Sequence, residues 1–284
     1  MRVVIGQKTL KERLKTDIEQ NKLPRFIILC GAVGSGRQTI AHWIADTAKY
    51  DIIVSDSSIA TIRELIRQSY EVSKPTIYLV PNAGKLVQAA QNALLKVTEE
   101  PSPNAYWIFT VENKSQLLDT LNSRGFYYNM DVYSERELND YMDYHDNLKV
   151  TDKDRPIVLS ICETPGDIEL LVSQGVTQFK EYVDKVVNNI AVVSGSNSFK
   201  IGSKIALKGE ENKFDLALFL KAFMRECFDR SQADVKRNDT NEDTLKYAIG
   251  IRVTSKYLQE LQMPSINKMM LFDAWLLEIR ENWL

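Results

Sequence analysis

The sequence predicts an α/β protein in which a parallel sheet has helices on both faces, followed by a small helical lid and a helical C-terminal domain. The first observation is that three apolar runs of strand length, at 26–30, 76–80 and 105–110, alternate with segments of helical periodicity. This alternation is typical of parallel sheets. The second observation is that the segments from residue 133 onward show helical patterns alone.

We expect three domains along the chain. Their predicted limits are 1–130, 131–193 and 194–284. The lid begins near a capping box, because Ser134 can cap a helix that has Glu137 three residues later. The stretch 194–198 contains small, flexible residues and is the predicted linker between the lid and the last domain.

The C-terminal domain is expected to be helical at 214–228, 244–261 and 266–283, with a polar loop at 230–243. Six apolar residues of the last helix could form either its core or a face for a partner, and core is the more common role. These residues are Leu271, Phe272, Trp275, Leu276, Ile279 and Trp283.

The composition excludes several classes of protein. With 44% hydrophobic and 26% charged residues, the 284-residue chain is not a mainly disordered protein. Its net charge of −2 excludes a uniformly basic nucleic-acid coat. Residues 1–130 carry a net charge of +4 and residues 131–284 a net charge of −6. Unless this split is chance, anionic partners are expected at the first domain.

The cysteines and histidines indicate neither a metal site nor disulfides. Cys30, Cys162 and Cys227 lie far apart, which indicates a reducing compartment. His42 and His145 have no Cys or His at ligand spacing, so no metal is expected. No run approaches the ~20 apolar residues of a membrane span, and the N-terminus lacks the apolar stretch of a signal peptide. We therefore expect a cytoplasmic protein without a membrane partner.

A glycine-rich turn between an apolar strand and a helix is the most informative local feature. Residues 31–39 read GAVGSGRQT, which is close to the phosphate-binding P-loop pattern G-x-x-x-x-G-K-[ST]. Such a backbone can wrap an anion at a helix N-terminus. The candidate nucleotide-binding residues are Gly31, Gly34, Ser35, Gly36, Arg37, Gln38 and Thr39.

The side chains that bind phosphate and magnesium in a hydrolytic P-loop are replaced in this sequence. Arg37 occupies the lysine position, and a planar guanidinium does not replace a compact ammonium. Gln38 lacks the hydroxyl that holds Mg²⁺. The strand 76–80 ends in Pro81 and Asn82, where ATP-hydrolysing P-loop proteins have acidic residues, and neither side chain is a carboxylate base. These departures predict a loop that keeps its shape but does not support hydrolysis.

Strings in the first two predicted domains resemble one family. Residues 88–101 read QAAQNALLKVTEEP, a strand follows, and residues 117–125 read LLDTLNSRG. With IGQ at 5–7, these strings are similar to the bacterial DNA polymerase III clamp-loader family of the AAA+ superfamily, closest to its delta-prime subunit, as a phage-like or divergent relative. TPGD at 164–167 is similar to the lid motif S-P-G-R of that family. The resemblance implies an AAA+ P-loop fold with a helical lid and a collar-forming C-terminal domain.

The resemblance also implies roles for individual residues. Arg124 lies at the position of the arginine in the family motif S-R-C. By this resemblance it would be an arginine finger, which projects into the ATP site of a neighbouring subunit. Gly125 replaces the cysteine of that motif. Asp167 replaces an arginine that contacts the γ-phosphate, and an acid there would repel this phosphate. Thr110 or Asn113 lies in the sensor-1 region and, without an acidic pair, is expected to be structural.

The predicted function is that of a non-hydrolysing clamp-loader subunit, which helps to load a sliding clamp onto primed DNA. The implied partners are other clamp-loader subunits, the clamp, and primer-template DNA through the complex. No cofactor is required, although weak ATP or ADP binding is compatible with the loop. The alternative is an active P-loop ATPase with atypical residues.

A third hypothesis is a stand-alone DNA-binding adaptor. Arg63 and Arg67 lie one helical turn apart and could contact DNA phosphates, or could simply form a solvated helix face. No basic stripe or sequence-reading motif supports this hypothesis. The family's four-cysteine zinc insertion has no counterpart, because the segment 46–75 contains no cysteine.

Overall fold

A five-stranded parallel sheet organises the first half of the chain. Its spatial order is β2-β3-β4-β1-β5. The strands are β1 (Phe26–Cys30), β2 (Asp51–Val54), β3 (Thr76–Val80), β4 (Ala105–Val111) and β5 (Phe126–Asn129). The helices that accompany them are α1 (Lys8–Glu19), α2 (Arg37–Ala48), α3 (Ile59–Glu71), α4 (Gln88–Glu99), α5 (Asp119–Asn122) and α6 (Glu135–Tyr144).

The computed structural model describes residues 3–189, 205–206, 213–237, 242–261, 263 and 266–283. The chain is divided into two compact units. The first is Met1–Tyr141 with Thr164–Gly166, and the second is Met142–Glu163 with Asp167–Leu284. The predicted linker at 194–198 lies outside the described residues, and the division into three domains stays a prediction.

The side chains of the central strand β1 alternate between two hydrophobic layers. Ile27 and Leu29 are buried in a layer that includes residues of α1 and α2. Phe26 and Ile28 are buried in a second layer that includes residues of α3, α4 and α5. Because successive strand residues point to opposite faces, both faces of the sheet are covered by helices. The predicted α/β fold class is therefore confirmed.

The two edge strands were not expected from the sequence. Strand β2 pairs with β3, and strand β5 pairs with β1, both in parallel register. Each edge strand has only four residues, and Asp51, Ile53, Val54 and Phe126 are exposed there. A short strand with one free edge lacks the continuous apolar run by which a buried parallel strand is recognised.

The second unit is helical. Its helices are α7 (Arg155–Ile161), α8 (Pro165–Gln174, which begins in the first unit), α9 (Val176–Asn189), α10 (Leu216–Lys236), α11 (Glu242–Glu260) and α12 (Lys268–Trp283). Two-residue strands, β6 (Ile205–Ala206) and β7 (Phe214–Asp215), pair in parallel. Trp275 stacks edge-on against Phe219 and Phe223. All six apolar residues singled out in the last helix are buried, which confirms that they form core.

The prediction of a loop at 230–243 is wrong for residues 230–236, because α10 continues through Lys236, and for residues 242–243, because α11 has already begun there. The polar side chains at 230–236 suggest a loop, but they form contacts that stabilise the helix. Arg230 forms an ion pair with Glu226, one turn earlier, at 2.6 Å. Thr244 of α11 donates a hydrogen bond to Asp234 at 3.1 Å. None of the described helices has the length and apolarity required to span a membrane.

Candidate phosphate loop and arginine site

The glycine loop lies where the sequence predicts it, between the end of β1 at Cys30 and the start of α2 at Arg37. In parallel α/β sheets this carboxyl edge is the usual place for ligands. Gly34 and Gly36 have φ angles of 79° and 85°, in the left-handed region that favours glycine. The predicted loop residues are thus contiguous at one edge of the sheet and continue into the first turn of α2.

The segment 164–166, which is distant in sequence, packs against the glycine loop at Val33 and Gly34. The N–H of Gly166 donates to the carbonyl of Gly34 at 3.0 Å, and the hydroxyl of Thr164 donates to the carbonyl of Val33 at 3.2 Å. A Cβ on Gly34 would lie 2.9 Å from the Cα of Gly166. Both glycines therefore permit a close backbone approach, which the TPGD string alone did not reveal.

Two polar side chains of the loop are buried, and each has an atom without a hydrogen-bond partner among the described residues. Arg37 is 7% exposed and Ser35 is 3% exposed. The Arg37 Nη1 and the Ser35 hydroxyl have no hydrogen-bond partner among the described residues. Burial lowers the pKa of the Arg37 guanidinium, while nearby Glu112 and Cys30 act in the opposite direction. Since Cys30 ends β1 and Glu112 follows β4, the guanidinium lies near the base of the loop.

The positions that would carry the hydrolytic acids are occupied by structural groups. Pro81 and Asn82 follow β3, and the N–H of Asn82 donates to the hydroxyl of Thr110 at 2.8 Å. Thr110 is 1% exposed. Asn113 accepts a hydrogen bond from Ser115. Among the described residues, no group of three or more His, Cys, Asp or Glu side chains is arranged to hold a metal ion.

Asp167 is neutralised within the second unit. Its carboxylate accepts from Lys221 Nζ at 3.0 Å and from the N–H of Glu163 at 3.1 Å. Burial alone would lower the pKa of Lys221, but Asp167 and Glu163 together raise it. The acid at this position therefore has an ion-pairing role that the sequence comparison with the S-P-G-R motif did not indicate.

Arg124 follows the short helix α5 and is partly exposed. Its Nη1 donates to the carbonyl of Thr120 at 2.5 Å, and its Nη2 lies 3.5 Å from a carboxylate oxygen of Glu99. The side chain is 31% exposed. Thr120 lies on α5 and Glu99 on α4. Among the described residues, no hydrogen bond or ion pair joins Arg124 to the glycine loop.

Gln91 is a buried polar residue that the sequence analysis did not single out. Its amide nitrogen donates to the carbonyls of Leu86 and Gln116 at 3.3 and 3.4 Å, and its oxygen accepts from the N–H of Leu118 at 3.0 Å. Leu118 is the N-cap residue of α5. Gln91 thus links α4 to the start of the helix that presents Arg124. The sequence signal for this role is that Gln91 is a polar residue on the apolar side of the amphipathic helix α4.

The pair Arg63 and Arg67 does not form a free basic patch. Arg67 forms ion pairs with Glu64 at 2.7 Å and with Glu71 at 3.2 Å, all on the exposed surface of α3. Its charge is therefore compensated within its own helix. This arrangement favours the solvated-face interpretation over contact with DNA phosphates.

Gly125 is required by its close approach to β1. A Cβ at this position would lie 2.2 Å from Ile28 Cδ1 and 2.7 Å from Ile28 Cγ1. Ile28 is fully buried, so it has little freedom to move aside. The cysteine of the family motif would not fit here without a shift of the surrounding side chains.

We predict that Gly125→Ala lowers the free energy of unfolding by about 1–3 kcal/mol, the usual cost of overpacking a core. Denaturant unfolding followed by circular dichroism measures this loss. Ile28→Val removes the Cδ1 atom that the new methyl group would meet. The double variant should therefore lose less stability than the sum of the single variants. Additive losses would show that the clash with Ile28 is not the cause.

Comparisons with known proteins agree with the strings around Gln91 and Arg124. The family model described as "DNA polymerase III, delta subunit" matches residues 48–133. DNA polymerase III subunit delta' of Buchnera aphidicola is 39% identical over 90 residues, which cover 31% of this chain and 27% of that protein. The corresponding subunit of Haemophilus influenzae is 35% identical over 77 residues, covering 27% of this chain and 24% of that protein. The matches thus span about a quarter of each relative.

Solved structures show the same fold over a longer stretch. A RuvB variant from Thermotoga maritima superimposes with a TM-score of 0.52 at 15% identity, covering 95% of this chain and 89% of that one. The segment 48–133 matched by the family model contains the strings at 88–101 and 117–125. From these matches, the segment 48–133 is similar to the DNA polymerase III delta and delta-prime subunits.

Proposed function

We propose that this protein is a non-hydrolysing subunit of a replicative clamp loader. In this role it helps to load a sliding clamp onto primed DNA and offers Arg124 to the ATP site of a neighbouring subunit. The proposal rests on the sequence of the glycine loop together with the family strings. The chain has the family strings and an intact loop backbone, but the loop has neither the lysine nor the hydroxyl of a hydrolytic P-loop.

Hydrolysis in this loop is disfavoured by the absence of a magnesium site. Mg²⁺ requires oxygen ligands in near-octahedral geometry, and Gln38 offers no hydroxyl at the usual position. Pro81 and Asn82 supply no carboxylate to hold the metal or to orient water. No cofactor is therefore required for the proposed role.

The surroundings of Arg124 are compatible with action on a neighbour. Its ion pair with Glu99 is 3.5 Å long, and the Glu99 side chain is 59% exposed. Exposed pairs of this kind contribute only about 0–1 kcal/mol. A phosphate of a neighbouring subunit could therefore replace Glu99 as the partner of the guanidinium at small cost, while the hydrogen bond to the carbonyl of Thr120 would also have to be kept or exchanged. Gln91 supports this arrangement, because it holds the start of α5 in place.

The proposed partners are homologous subunits that have an intact P-loop lysine and acidic pair, together with a ring-shaped clamp and primer-template DNA. The test is reconstitution of a loader from its cognate subunits with and without this chain, followed by clamp loading onto primed DNA. We expect loading only when this chain is present. Full loading without it would contradict the proposed role, and mass spectrometry of proteins that co-purify with a tagged copy would identify the subunits to use.

A further inference from the structure

We propose that the glycine loop binds a phosphate group without a divalent cation, and that Arg37 is the charged ligand of this phosphate. The inference deepens the proposed non-hydrolysing role, because it assigns the same loop a binding function that needs no catalysis. The ligand chemistry is that of a phosphate group, either in the tail of a nucleotide or in a free inorganic anion.

The backbone of the loop presents hydrogen-bond donors that have no acceptor. The helix α2 has 12 residues and begins at Arg37, and its first N–H groups have no partner within the helix. No described hydrogen bond uses the N–H groups of Gly36, Arg37 or Gln38. The partial positive charge of a helix N-terminus favours an anion at this point.

The loop's contacts with the segment 164–166 leave these donors available. That segment uses the carbonyl oxygens of Val33 and Gly34, and the hydroxyl of Tyr133 donates to the carbonyl of Ser35. The carbonyls of Val33, Gly34 and Ser35 are thus satisfied by protein groups. The N–H groups of Gly36, Arg37 and Gln38 are not, and an anion would complete this arrangement.

Two buried side chains independently indicate a ligand. The Ser35 hydroxyl lies 3.1 Å from the place that a Cβ on Gly31 would take, so it faces Gly31 across the loop. This hydroxyl and Arg37 Nη1 are both buried without a hydrogen-bond partner among the described residues. A buried polar group without a partner is costly. A phosphate oxygen can accept from both groups and remove that cost.

The same residues do not fit a metal-bound phosphate. A guanidinium carries a permanent positive charge at the base of the loop, where a hydrolytic P-loop would use Mg²⁺ and a lysine together. Gln38 supplies no hydroxyl, and the described residues contain no cluster of three or more metal-ligating side chains. The charge of the phosphate is therefore balanced by the guanidinium of Arg37 rather than by a metal ion.

The test is calorimetric titration of the full chain with ADP, and separately with pyrophosphate and inorganic phosphate. Each titration is carried out in EDTA and in Mg²⁺. We expect saturable binding of at least one of these anions, with an affinity in EDTA at least equal to that in Mg²⁺. Tight binding of ADP alone would identify a nucleotide as the source. Equal binding of pyrophosphate would identify a free anion.

Variants of the loop separate the proposed ligands from general charge effects. Arg37→Ala should weaken binding by about 10-fold or more, because hydrogen bonds to charged groups contribute about 1.5–3 kcal/mol. Ser35→Ala keeps the guanidinium and should weaken binding several-fold. Arg136→Ala removes an exposed arginine on α6 and serves as the matched control with unchanged affinity. Circular dichroism of each variant verifies that the fold is kept.

Three results would overturn the inference. These are the absence of saturable binding up to millimolar ligand, binding that requires Mg²⁺, and unchanged affinity in folded Arg37→Ala and Ser35→Ala. The measurements use this chain without partner subunits. A negative result would therefore leave the clamp-loading experiment unaffected, and a failure of clamp loading would not alter the binding result.

Discussion

Arg124→Ala is expected to lower the ATPase rate of the reconstituted clamp loader by up to ~10³-fold, the lower end of the effect of an arginine finger. The physical reason is that a guanidinium stabilises the negative charge that develops on the transferring phosphoryl oxygens. The substitution should leave the fold intact, because Arg124 is partly exposed and loses only a long ion pair with Glu99 and a local hydrogen bond to the carbonyl of Thr120. Steady-state phosphate release by the complex, in the presence of clamp and primed DNA, measures the effect.

Two further variants make this prediction specific. Arg124→Lys should restore little activity, since an ammonium cannot reproduce the planar fork of a guanidinium. Arg136→Ala, at an exposed position of α6, is the control for the loss of one surface arginine and should have no effect. If ATPase and clamp loading are unchanged in the Arg124→Ala complex, the chain acts as a scaffold and contributes no arginine finger.

The purified chain alone should show no catalytic turnover of ATP. Loss of a single stabilising donor in a transition-state site already costs ~10²–10³-fold in rate. Here Arg37, Gln38, Pro81 and Asn82 replace several parts of the site at once, although such losses need not be additive. A phosphate-release assay on the chain without partners provides the measurement.

The alternative of an active motor subunit makes the opposite prediction for this assay. Turnover of about 1 s⁻¹ or faster, typical of enzymes, would support it, provided that Gly36→Val abolishes the activity. Gly36 has a φ of 85°, so a valine there disrupts the loop itself. Activity that survives Gly36→Val would instead indicate a contaminating ATPase.

The sheet illustrates which parts of the fold local sequence can predict. The central strands β1, β3 and β4 are buried on both faces, so each appears as a continuous apolar run. The edge strands β2 and β5 are half exposed and have no such run. Residues 230–236 of α10 were misassigned for a related reason. Their polar side chains are paired with α10 itself and with α11, and those partners are known only once the helices are placed.

The functional groups that the loop can offer follow directly from the residue types at single positions. The identities of Arg37 and Gln38 and the absence of acids at 81–82 are properties of single positions, and they limit what the loop can catalyse in any conformation. The strings around Gln91 and Arg124 likewise predicted the family, because these residue types occur at fixed local spacing.

Contacts between residues far apart in the chain complete or neutralise that chemistry, and these contacts follow from the folded structure. The folded structure placed Gly166 against Gly34, paired Asp167 with Lys221, and left the buried Arg37 Nη1 without a partner. Each of these facts depends on the distance between groups far apart in the chain. Burial and pairing set the free energy of a charged or polar group, and neither is a property of the residue type alone.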